Sequence, residues 1–176
     1  MFARIGILFA LVISVAGCDM AGFDDDDGVH IIRASQTERI RADQLELVNA
    51  ARAGRGLGPL VMSAALNTAA DIHASDISDQ RRAWDFGSDR SSPQSRAQRY
   101  GFSGLVTGEN VAETFVLNEE ILQVWLGDTR ARQAIMHPDA TDFGIGWKQD
   151  ADGRIWWVQM TGAARSAPVF TTAELQ

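Results

Sequence analysis

Residues 143–158 read Phe143-Gly-Ile-Gly-Trp147, then Lys148-Gln-Asp-Ala-Asp-Gly-Arg154, then Ile155-Trp-Trp-Val158. Both flanks are rich in β-branched and aromatic residues, and Gln149 to Gly153 carry turn chemistry. The stretch therefore predicts an antiparallel hairpin. Upstream, most apolar residues recur at helical spacing instead. Helices flanking one small sheet predict an α+β layered domain.

Working outward from the hairpin, a first helix is expected from near Gln36 to Gly54 or Gly56. Ile40, Leu45, Val48 and Ala51 form its apolar stripe, and the glycines supply its stop. Gly56-Leu-Gly-Pro-Leu-Val61 reads as a turn followed by a short extended piece. Ser63 is a good N-cap for a second helix through about Gln80, with Leu66, Ala69, Ala70, His73 and Ile77 on one side. Residues 81–92 read as a loop, and Pro93 suits the first turn of a short helix ending near Tyr100 and Gly101. Leu105 to Glu113 reads as short and partly extended. Asn118 is expected to cap a further helix that turns Ile121, Leu122, Trp125 and Leu126 inward. Thr129 to Met136 adds a turn or two before Pro138.

The chain has 176 residues, 45% hydrophobic and 22% charged, enough for one domain with a real core plus a leader and tails. Its net charge of −7 combines 16 basic with 23 acidic residues, and Lys148 is its sole lysine. With no basic tract, nucleic acid is not an expected partner. Cys18 is the single cysteine, so no internal disulfide and no cysteine-based zinc cluster is possible.

Arg4, the apolar run Ile5 to Val15, and small Ala16 and Gly17 have the anatomy of a secretory signal. The run is short against the roughly twenty residues that a membrane span needs. Val15-Ala-Gly-Cys18 resembles a lipobox, which implies cleavage before Cys18, lipidation there, and a membrane partner through the acyl anchor. Asp19 resembles an inner-membrane retention signal. Asp24 to Asp27 are four like charges that stay extended. They read as a solvated linker rather than a calcium loop, which needs spaced ligands and a shaped turn. The expected organisation is a leader over 1–17, lipidated cysteine and acidic tether over 18–36, a domain over 37–163 and a loose tail over 164–176. The expected location is the periplasmic side of the cell envelope.

The ordered motifs resemble the CAP superfamily, of SCP/PR-1-like type. Leu47-Val-Asn-Ala-Ala-Arg52 and its exit through Gly-Leu-Gly-Pro-Leu60 look like that family's first helix. Ala70-Asp-Ile-His-Ala-Ser-Asp-Ile77 is similar to its "A-x-x-H-S-x-D-M" helix, with Ala74 inserted. Gly87-Ser-Asp-Arg-Ser-Ser-Pro93, Arg99-Tyr-Gly-Phe102 and Gly108-Glu-Asn-Val-Ala112 follow in family order. Trp125, Arg132 and His137 to Gly146 continue the resemblance, and Trp157-Val-Gln-Met160 resembles the closing strand. The resemblance covers residues 38–162 and implies a three-layer α-β-α sandwich with a small central antiparallel sheet, three-stranded, and a cleft on one side.

Many members of that superfamily hold two histidines and two acids in the cleft, a donor set suited to zinc. Carried over by position, Asp85 stands where the first histidine usually is, Glu109 keeps the "G-E-N" acid, Asp128 falls where some members have the second acid, and Ala131 stands where the second histidine would be. Both imidazoles are absent, so no metal and no cofactor is expected. Three converging carboxylates would repel, raising one pKa or turning one to solvent. They could take a hard cation weakly, or an ammonium group. The alternative is that Asp85 and Asp128 are solvated and Glu109 is held by hydrogen bonds.

Asn110, beside Glu109, completes the candidate cleft residues with His73. In the resemblance His73 belongs to the helix motif and not to the metal set, and it reads as a buried structural histidine. His137 suits a turn beside Pro138, and Trp84 could line a cleft wall. Ser88, Ser91 and Ser92 have no identifiable base, so no catalytic residue is assigned.

The residues leave three readings of function. The first is a non-catalytic binding module displayed at a membrane surface, monomeric, for a small amphiphile, a glycan or another envelope protein. The second is a hydrolase using Glu109 with Asp85 or Asp128 as an acid/base pair. The third is a purely structural envelope protein.

Overall fold

The structure, a computed structural model, describes residues 31–164. The leader, Cys18, most of the tether and the tail beyond Ala164 lie outside the described residues. A 3-10 turn, Ala34–Gln36, leads directly into α1, Thr37–Ala53. Then come β1 (Val61–Met62), α2 (Ala64–Asp79), α3 (Pro93–Arg99), β2 (Leu105–Thr114), α4 (Asn118–Gly127), α5 (Thr129–Ile135), β3 (Asp142–Gln149) and β4 (Ile155–Ala163).

The fold is the expected α-β-α sandwich, with one strand more than its three-stranded antiparallel sheet. The strand order is β1-β3-β4-β2. The pairs β3–β4 and β2–β4 are antiparallel, while β1 pairs parallel with β3 through Val61–Asp142 and Met62–Phe143. The short extended piece after Pro59 thus becomes an edge strand of a mixed sheet. The stretch expected to be partly extended is one continuous strand, β2, ten residues long, and it runs one residue further, to Thr114. Asn118 is the first residue of α4 and not its cap. The extended Leu117 occupies the N-cap position and makes no side-chain cap.

β4 is the central strand, and its alternation divides the core. Trp156, Val158 and Met160 pack with Leu66, Ala69, Ala70, Ala74 and Ile77 of α2 and with Ala97 of α3. Ile155 and Trp157 face the opposite layer, with Val48 of α1, Ile121, Leu122 and Trp125 of α4, and Ile135 of α5. On β3, Phe143 and Ile145 join that second layer, while Gly144 and Gly146 face α2. A Cβ on Gly144 would lie 2.4 Å from Leu66 Cβ, and one on Gly146 would lie 2.3 Å from the Asp71 backbone nitrogen. The Gly-Ile-Gly pattern of the hairpin is therefore a strand with one side-chain face removed, so that a helix can lie directly on the sheet.

Two polar residues on α1, Gln44 and Arg52, are fully buried. Gln44 donates through Nε2 to Gln159 Oε1 of β4 at 3.3 Å. Arg52 donates to the carbonyls of Gly58 at 2.9 Å, Ile135 at 2.7 Å, His137 at 3.0 Å and Ala140 at 3.3 Å. It ties the α1 exit to the α5 exit. Ser63 accepts from Leu66 N as the cap of α2, and Ser92 accepts from Ser95 N as the cap of α3. Together these fix the ends of the helices that carry the site.

Candidate functional site

Among the described residues β2 is an edge strand, paired only with β4. Its register places Glu109 opposite Met160 and Asn110 opposite Gln159. Consecutive residues of a strand point to opposite faces. Glu109 therefore reaches toward α3 while Asn110 donates to the Ala131 carbonyl of α5 at 3.0 Å. A cleft of about 130 Å³ wraps this edge, lined by Asp85, Glu109, Asn110, Trp125, Asp128, Arg130 and Ala131 among others. Four of the five candidate cleft residues thus come together. His73 lies behind them, its Nε2 3.8 Å from Glu109 Oε1.

Each of the three carboxylates has its own partner. Arg96, buried on α3, donates through Nη2 to both Glu109 oxygens at 2.6 and 2.8 Å. Its guanidinium is in turn fixed by the carbonyls of Ser91 at 2.8 Å and Asp85 at 3.0 Å. Asp85 pairs through its side chain with Arg130. Asp128 caps α5, accepting from Ala131 N at 2.8 Å. The Arg130–Asp85 pair is exposed on the arginine side and contributes little to stability. The Arg96–Glu109 pair is buried and hydrogen-bonded on several sides, so removing either member would leave a buried charge.

Burial pushes the Glu109 carboxyl up to about 7; Arg96 opposes the rise and Asp85 adds to it. His73 moves the other way. Burial lowers it to about 4, with the Arg96 cation a second cause. Its Nε2 lies 3.0 Å from the Trp84 carbonyl. A carbonyl can only accept, so Nε2 carries the proton and the neutral ring presents Nδ1 as a bare acceptor. His73 is held in the way the sequence suggests for a structural histidine, although it sits within reach of the cleft acid.

The residues present do not fit a zinc site. Positions 85 and 131 carry aspartate and alanine, Glu109 is engaged by an arginine, and His73 Nε2 is turned to a carbonyl. Among the described residues, no group of three or more His, Cys, Asp or Glu side chains is placed to hold a metal ion. Arg96 and Arg130 were not legible as site residues from sequence. Trp125 lines the cleft as well, and its Nε1 is buried without a partner.

Comparisons with known proteins agree with this architecture. The uncharacterized protein YkwD of Bacillus subtilis is 30% identical over 118 residues, which is 67% of this chain and 45% of that protein. This chain thus spans a little under half the length of that relative. An outer surface protein from Borrelia burgdorferi superposes with a TM-score of 0.67 at 18% identity, covering 78% of this chain and 99% of that one. An extracellular protein containing a SCP domain from Bacillus anthracis gives a TM-score of 0.65 at 20% identity, over 76% of this chain and 45% of its own. These two likenesses bear on the fold alone. The model of the cysteine-rich secretory protein family, CAP, matches residues 45–161, and the chain belongs to that family.

Proposed function

We propose that this chain is an extracytoplasmic CAP-domain lipoprotein, anchored to a membrane through Cys18, whose cleft is a non-catalytic binding module. The observation that carries the reading is the engagement of Glu109, Asp85 and Asp128 by Arg96, Arg130 and the start of α5. A general acid/base pair needs carboxyls free to exchange protons with a substrate. Here the acids are tied into the protein. The leader and lipobox support export. Among the described residues, no helix is long and apolar enough to cross a membrane. The Borrelia and Bacillus anthracis proteins named above are described as outer-surface and extracellular. Candidate ligands are a small amphiphile, a glycan or another envelope protein.

The test is thermal unfolding of residues 19–176 with zinc, calcium, magnesium or buffer alone, beside an assay against peptide and ester libraries. The reading expects no shift with zinc, since a ligand that prefers the folded state at a hundredfold excess over Kd would add about 2.7 kcal/mol. A zinc shift or hydrolysis that disappears in Glu109→Ala would overturn it.

A further inference from the structure

The two walls of the Glu109 cleft belong to opposite layers of the sandwich. The 84–86 loop follows α2, and its Trp84 packs with the α2 and α3 cluster. Arg130 sits on α5, whose Ala131 and Ile135 pack with the cluster on the other face of the sheet. A side-chain bond between these layers has to pass round an edge of the sheet, and among the described residues the edge on this side is β2. Asp85 and Arg130 make that bond. Both line the cleft together with Glu109, Asn110 and Val111, so the bond crosses β2 near the middle of the strand.

The two ends of the bond are held differently. On the loop side, the Asp85 carbonyl accepts from Arg96 Nη2 at 3.0 Å, and the Trp84 carbonyl accepts from His73 Nε2 at 3.0 Å. Both donors are buried, which makes Asp85 a fixed post. On the helix side, Arg130 is the second residue of α5, and its side chain is 81% exposed. Among the described residues its guanidinium bonds Asp85 alone. A long side chain with one exposed ionic contact is an arm that can leave its post, because such pairs are weak and are screened by salt.

Each wall is also tied to β2 itself, the loop through Arg96 to Glu109 and α5 through its Ala131 carbonyl to Asn110. Those bonds fix the walls to the strand and not to each other. Trp125 lines the same cleft, its indole N–H buried and without a protein partner. An N–H with no hydrogen bond to break exchanges with solvent as soon as water reaches it, so this one registers any parting of the walls. We infer that Arg130 is a strap, closing the cleft across the edge of β2 by gripping Asp85 and letting go as ionic strength rises. Its value as a gate for a ligand rests on the binding role proposed above. The strap itself does not, because its opening is read with water alone.

The test is hydrogen exchange of the tryptophan indole N–H groups, followed by ¹⁵N NMR of the full chain in detergent at fixed pH. Trp156 Nε1, which donates to Asp150 at 2.9 Å, and Trp157 Nε1, which donates to the Val116 carbonyl at 3.1 Å, serve as internal references. Relative to them, the Trp125 rate should rise about threefold between low salt and about 1 M sodium chloride, the scale of one exposed ion pair. Arg130→Gln and Asp85→Asn, which keep side-chain length and remove one charge, should exchange at the fast rate already at low salt and lose the salt response. A Trp125 rate indifferent to salt and to both substitutions would overturn the strap. So would a rate that moves only in step with Trp156 and Trp157, which would mean the whole fold loosens. A strap that opens as expected in a chain that binds no amphiphile or glycan would count against the binding role and leave the strap standing.

Discussion

The opposed titrations of His73 and Glu109 make a prediction that a single buried group could not. His73 is fully buried and Glu109 is 2% exposed at its side chain, so both shifts bear on stability with little screening by solvent. His73 falls from the usual 6.5 to about 4, and Glu109 rises from 4.5 to about 7. At 1.36 kcal/mol per pH unit, each is worth about 3 kcal/mol. The signs differ. The depressed histidine contributes stability above pH 6.5 that is lost as pH falls toward 4. The raised carboxyl contributes stability below pH 4.5 that is lost as pH climbs toward 7. Between 4.5 and 6.5 the unfolded chain holds one proton on this pair, on the histidine. The folded chain also holds one, on the glutamate, so the two slopes cancel. Denaturant unfolding across pH 4 to 7.5 should therefore show little contribution from the pair in the wild type. Glu109→Gln should unmask the histidine and lose about 3 kcal/mol toward acid. His73→Gln should unmask the glutamate and lose a similar amount toward neutrality. Other carboxylates contribute a common background that subtracts out. Difference curves that are flat for both variants, or that slope in the same direction, would refute the reasoning.

The packing and capping contacts support three more tests. Arg52→Met should cost roughly 3 kcal/mol in chemical denaturation, because it strands the buried carbonyl bonds at Ile135 and Ala140 and loses the part-buried ones at Gly58 and His137; a loss under about 1 kcal/mol would mean water replaces the guanidinium. Gly146→Ala drives a Cβ into the backbone of α2 and should destabilise by roughly 3 kcal/mol, read as a lowered melting temperature, whereas Ala at Gly127, which has open space around it, should be tolerated. Asp128→Ala should cost about 1 kcal/mol as a lost helix cap while Asp128→Asn costs a few tenths; equal losses would point to a role for the charge rather than the cap.

The hairpin, the Ser63 and Ser92 caps and the apolar face of α2 were legible because their signals are local. Periodicity and turn chemistry act over a few residues, and those elements fall where their residues suggest. Asn118 misled because a capping residue type is only a preference, and the backbone bend falls one residue earlier at Leu117. The extent of β2 was legible to within one residue, but its regularity as a strand was not. Its Glu109 and Asn110 break the apolar pattern, yet β4 supplies hydrogen bonds to the whole strand from some fifty residues away. Arg52, Arg96 and Arg130 were missed by the same logic. An arginine's side chain reveals nothing of its burial until the carbonyls or carboxylates around it, distant in sequence, are brought in by the fold. The candidate acids Asp85, Glu109 and Asp128 line one cleft. What they do there depends on three partners whose positions no local pattern encodes.

The two ends of that cleft differ in kind, which limits what can bind. Glu109 is fixed in a buried network through Arg96, Ser91 and the Asp85 carbonyl, so its carboxyl cannot turn to a ligand without leaving an arginine charge buried alone. Asp85 and Arg130 form an exposed pair, which little energy holds together. A ligand entering from solvent can therefore separate Arg130 from Asp85 at small cost, but it must leave the Glu109 end as it finds it. Trp125 stands between, its indole N–H buried below the cleft surface. A ligand that supplies a donor to Asp85 and an acceptor to Arg130, and that asks nothing of Glu109, replaces the contacts it displaces at that rim. Under the proposed binding role, such a ligand would exchange contacts at one rim, with no proton transfer asked of the buried acid.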